Sequence, residues 1–161
     1  IDIRDLSNYD GYKLDWYIGW FLDINFSRYS KINEYINNSD DYIGSIGNSF
    51  YYYNGYLVIE IYALTSLCDD FENIVISTAN GISDDDRELF ELVKKNSLTS
   101  LSVRKDSISN YVRPIEDNYI TFDYAEVDDI DVIKNFSYDD YKKVINGIDF
   151  SYYSVFYRKK K

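Results

Sequence analysis

Four acid pairs, at positions 40/41, 69/70, 128/129 and 139/140, are the first residues in this chain that could do chemistry. Two carboxylates across a cleft are all that a glycosidase requires. Each pair, however, falls near a predicted helix start or turn, where interaction with free backbone N–H groups accounts for it. The run EVDDID (Glu126 to Asp131) offers oxygens to a hard cation, but it lacks the turn glycine and the distal bidentate glutamate of an EF-hand loop. The single cysteine, Cys68 in TSLCDDF, stands beside Asp69 and Asp70. Neighbouring carboxylates raise a thiol pKa and deplete the reactive thiolate, so a structural thiol is expected there. Histidine is absent, which removes Ser-His and Cys-His dyads together with the commonest metal ligand and general base. No phosphate-cradling or dinucleotide-binding glycine loop occurs. The expectation is a protein that is not an enzyme and takes no cofactor or metal.

The elements that position these residues can be read from periodicity. Around Tyr12, Trp16, Gly19, Trp20 and Asp23 the i, i+4 spacing favours a helix, with Asp10 available as a cap, although the amino end also has strand character. A short amphipathic helix is predicted where Tyr29, Ile32, Tyr35 and Ile36 share a face behind Ser27. Asn54-Gly55 is the favoured pair for a type I′ turn, in which both central residues take positive φ. It predicts a hairpin joining about 48–53 to 56–64. Further strands are expected at 73–78, 98–104, 109–113, 119–127 and in the terminal run IDFSYYSVFY. A helix is marked from Ser83 by Asp84, Asp85 and Asp86 at its start and Lys94 and Lys95 at its end. Another runs from Ser137 to Gly147. These elements compose an α+β fold: a single domain over 1–161, with a mainly antiparallel sheet and about four helices packed on it.

In the hairpin, pairing Tyr53 with Tyr56 places Tyr52 opposite Leu57 and Phe50 opposite Ile59. That face, with Ile61, is core. Tyr51, Tyr53, Tyr56, Val58, Glu60 and Tyr62 then share the other face, a row of rings with a carboxylate among them. Two placements of this face are open, exposed or covered by a helix.

Composition bounds the partner. A chain of 161 residues has room for one real core, and no apolar run approaches the length of a membrane span. The net charge of −11 falls to −15 when the terminal RKKK is set aside. Nucleic acid and anionic membranes are therefore poor partners, and a basic protein is the complement. One cysteine cannot form an internal disulfide, which favours a reducing cytoplasm. Met is absent, so Ile1 is expected to be a processed or trimmed end. Abundant Ile, Asn, Lys, Tyr and Asp with scarce Ala, Pro and Arg is how an A+T-rich genome writes proteins, so nineteen tyrosines are partly a codon effect.

In size and charge the chain resembles the acidic immunity proteins and DNA-mimic inhibitors that block basic toxins or DNA-handling enzymes. The resemblance implies a stoichiometric binder of a basic partner, possible targets including a nuclease toxin. Its contact surface is expected on Tyr51, Tyr53, Tyr56, Glu60 and Tyr62, with Asp84, Asp85, Asp86, Asp128, Asp129 and Asp131 steering the partner in. A viral or bacterial interaction module without inhibitory purpose, and a carboxylate-based enzyme, are the alternatives.

Overall fold

The computed structural model describes residues 8–27, 30–32, 43–65, 68–80, 82–104, 112–113, 115–116, 119–120 and 129–156. Helix α1 (Asn8–Phe26) leads into strands β1 (Ile43–Tyr53) and β2 (Tyr56–Thr65). Then come α2 (Cys68–Asn80), a 3₁₀ turn (Asp84–Asp86), α3 (Arg87–Arg104), α4 (Asp129–Lys134) and α5 (Tyr138–Asn146). The architecture is a single α+β domain in which helices pack against a two-stranded antiparallel hairpin.

Helix α1 lies at the centre. Tyr12, Leu14, Tyr17, Ile18, Phe21 and Leu22 are all buried, and they point in every direction around the axis. A helix that is apolar all round can be stable only when neighbours cover it all round. Contacts with β1, α3 and α5 supply that cover. The single apolar face expected from the sequence is therefore one sector of a helix covered over most of its circumference, with Asp23 left exposed. Around Trp20 an aromatic cluster fills the core. Its ring meets Phe90 at 5.3 Å and Phe136 at 6.0 Å, both edge-on, and Tyr17 meets Tyr141 edge-on at 5.7 Å. Edge-to-face contact sets the positive rim of one ring against the negative face of the next, adding about 0.5–1.5 kcal/mol per pair beyond burial.

The hairpin register is the one the turn dictates. Asn54 and Gly55 have φ of 51° and 84°, and Tyr53 pairs with Tyr56, Tyr52 with Leu57 and Phe50 with Ile59. Ile46, Phe50, Leu57, Ile59 and Ile61 pack on the core. Two polar contacts tie this face to α1. The Asn48 amide donates to the Phe26 carbonyl at 3.1 Å, occupying an acceptor that the helix end leaves free, and the Tyr52 hydroxyl donates to Asp15 at 3.4 Å.

Ser83 and Ser137 stand at the cap positions expected of them, whereas Asp10 lies inside the first turn of α1, which begins at Asn8. The Asp86 carboxylate reaches back to accept from the Ser83 backbone N–H at 3.0 Å, and Ser137 Oγ accepts from the Asp140 N–H at 3.2 Å. Ser83 starts a 3₁₀ turn before α3, and Gly147 ends α5 in a right-handed conformation, φ −78°, rather than the left-handed one typical after a helix. Lys94 does not end its helix either, because α3 continues to Arg104. Its ammonium instead donates to the carbonyls of Lys134 and Phe136, closing the end of α4.

The additional strands are corrected. Residues 73–78 belong to α2, and 98–104 are the last turns of α3. In α2 the core-facing residues are Phe71, Ile74, Val75 and Ala79, a helical spacing that a six-residue window cannot separate from a strand. Residues 112–113 and 119–120 are helical, while the rest of the strands expected at 109–113 and 119–127 lies outside the described residues. So does most of the helix expected after Ser27, of which 31–32 are helical. The terminal run makes a turn and then an exposed, unpaired segment held to α2 by the Tyr153 hydroxyl, which donates to Glu72 at 2.6 Å. Among the described residues no helix is long and apolar enough to cross a membrane.

Candidate functional site

Because side chains alternate along a strand, the register that turns Phe50, Leu57, Ile59 and Ile61 inward turns Tyr51, Tyr53, Tyr56, Glu60 and Tyr62 outward. This outer face is uncovered. Tyr51 is 45% exposed, Tyr53 64%, Tyr56 52% and Tyr62 60%.

Two contacts organise the face. Glu60 accepts from its cross-strand partner Ser49 at 3.2 Å and from the diagonal Tyr51 hydroxyl at 3.3 Å, so the one carboxylate is fixed between strands. Partial desolvation, and then the Glu60 charge, raise the Tyr51 phenol above its ordinary value, keeping it a hydrogen-bond donor. At the far end Tyr62 lies across its partner Gly47, where a Cβ would fall on the ring. An aromatic ring laid on a cross-strand glycine covers backbone that would otherwise be bare. The result is a rigid aromatic strip with phenol tips and one oriented carboxylate.

The predicted acids that the structure describes belong to elements other than the hairpin. Asp84, Asp85 and Asp86 sit on the turn before α3. Asp84 pairs with Lys142 at 2.8 Å, and that bond and charge hold its carboxyl below the usual range. Asp85 is exposed. Asp86 is corrected as a contact residue: it is 3% exposed, pairs with Lys31 at 2.6 Å and serves as the capping carboxylate. Asp131 is exposed on α4 beside Lys134, Asp129 opens that helix, and Asp128 lies outside the described residues.

The pair at 139/140 is likewise taken up between elements. Asp139 binds Arg87 at 2.7 Å, while Asp140 binds Lys13 at 3.0 Å and accepts from the Tyr17 hydroxyl at 3.1 Å. Among the described residues no group of three or more Cys, Asp or Glu side chains converges on a point where a metal could sit.

Two features escaped the sequence reading. Continuing the hairpin pairing six positions beyond the turn would have placed Tyr62 on Gly47. No local pattern announces Asp15, whose burial beneath the hairpin raises its carboxyl to about 6 against the opposing hydrogen bond from Tyr52. No protein-family model, curated protein or solved structure matches the chain.

Proposed function

We propose that this chain is a non-enzymatic acidic binding protein that uses the outer face of its hairpin to hold a basic protein partner, in the manner of an immunity protein or an inhibitor of a toxin such as a nuclease. The observation that carries the reading is the exposure of four tyrosines on one face of a strand pair whose other face is core. Tyrosine presents a large rigid area with a polar tip at low entropy cost, which is why it is enriched at the centre of protein interfaces. The charge of −11 supports a basic partner by raising the encounter rate, while the rings supply residence time.

The test is capture of basic proteins from native lysate on the immobilised chain, followed by binding kinetics with whatever is retained. Tyr53→Ala and Tyr56→Ala should each speed dissociation, and the association rate should fall steeply as salt is raised. A partner held equally well by both variants, at a rate indifferent to salt, would overturn the reading.

A further inference from the structure

Between α1 and α3 lies an open trough of about 370 Å³ to which no hairpin residue contributes. Its apolar walls are Trp16 and Ile24 from α1 and Leu89, Leu92, Val93 and Leu101 from α3. The gap has a local cause. Asn96, Ser97 and Ser100 bring polar and mostly small side chains to the middle of α3, and Ser97 is drawn onto the Trp20 indole N–H at 2.9 Å. The trough is also long. At 1.5 Å per residue, Leu89 and Leu101 are roughly 18 Å apart along α3, about three helical turns. A helix lying along the rim would span that length and lower one row of apolar side chains, not its backbone, into a volume of this size.

We infer that this trough is a docking site for a basic amphipathic helix of a partner protein. Three observations point to that occupant. Leu92 is 54% exposed in mid-helix, so the wall is uncovered where a partner's apolar stripe would lie. Asp23 stands on the lining with no lysine or arginine of the described chain in ion-pair reach. Burial raises its carboxyl above its ordinary value, so a cation brought alongside would restore the interaction that desolvation removes. The net charge of −11 then selects a cationic helix over an acidic or neutral one. The mode is recognition of a helix through anchors at i, i+3, i+4 and i+7.

The site is separate from the hairpin face and stands or falls apart from it. The probe is a synthetic amphipathic peptide with leucines at helical spacing and lysines elsewhere, compared with the same peptide carrying glutamate for lysine. Trp20 is buried in the core, so Trp16 is the tryptophan placed to report occupancy. The lysine peptide should shift the tryptophan emission saturably at one to one, and Trp16→Phe should abolish the shift. Leu92→Asp should weaken binding about tenfold although it adds a negative charge, and Asp23→Asn about threefold. Should Leu92→Asp fail to fold, Leu92→Ala carries the same expectation. Tyr53→Ala should leave the response unchanged. Equal binding of the glutamate peptide would overturn the inference, as would wild-type affinity in both the Leu92 and Asp23 variants. So would sedimentation as a dimer that Leu92→Asp disperses, since a second copy would then be the occupant.

Discussion

Asp15 makes stability depend on pH in a direction opposite to most carboxylates. Its carboxyl in the folded protein, at about 6, lies above the ordinary 3.8 because burial penalises its charge. A group raised in this way contributes stability that is full below its unfolded value and is lost as pH rises through its folded value. Asp23 is raised too and acts with the same sign, whereas the lowered carboxyls of Asp84 and Asp149 act only in the acid range below the ordinary value. Urea midpoints should therefore fall between about pH 4 and pH 6, and Asp15→Asn should flatten most of that slope, on the order of 2 kcal/mol. An unchanged slope in the variant would place the titration elsewhere. Gly55→Val tests the turn: at φ 84° a β-branched residue is strained, and the loss should exceed about 1 kcal/mol in the denaturation midpoint. On the strands the two faces should answer differently. Tyr52→Ala removes a ring from the face that meets α1 and should cost stability, while Tyr51→Ala on the outer face should change it by no more than about 0.5 kcal/mol.

Among the elements, α1 contains a glycine in mid-helix with open space where a Cβ would stand. Gly19→Ala should raise the thermal midpoint, by about 0.5–1 kcal/mol of stability, because alanine loses less backbone entropy on entering a helix. The elements most legible in the sequence were those with chemical punctuation. Asn54-Gly55 set a register, and Ser83 with three acids and Ser137 with two announced helix starts, because capping and turn geometry depend on neighbours in sequence. Without punctuation, the i, i+4 spacing of α1 still marks a helix, whereas the runs at 73–78 and 98–104 read as strands and are helical. The run Asn73 to Thr78 is rich in β-branched residues and becomes helical because Phe71, Ile74, Val75 and Ala79 face the core together, a tertiary preference that local propensity does not register. The site divides in the same way. Exposure of the tyrosine face follows from alternation, whereas the burial of Asp86 depends on Lys31, a residue 55 positions away.

At the scale of the molecule, charge and shape act on different steps of binding. Most of the excess acidity is spread over the surface, so its effect on a basic partner should be kinetic: reversal of Asp85 or Asp131 to lysine should slow association, and removal of RKKK should hasten it. Stopped-flow rates across a salt series would show this, and dissociation rates should barely move. The central position of α1 has a consequence of another kind. Its contacts reach forward 37 residues to Tyr52, 77 to Ser97 and 123 to Asp140. During synthesis at roughly 5–20 residues per second, the residues that cover Tyr17 leave the ribosome some 6 to 25 s after it does. Until then α1, largely apolar around its axis, lacks the part of its cover that α5 supplies. The nascent chain should therefore depend on a chaperone until α5 emerges, and a chain truncated before α5 should be recovered aggregated rather than folded.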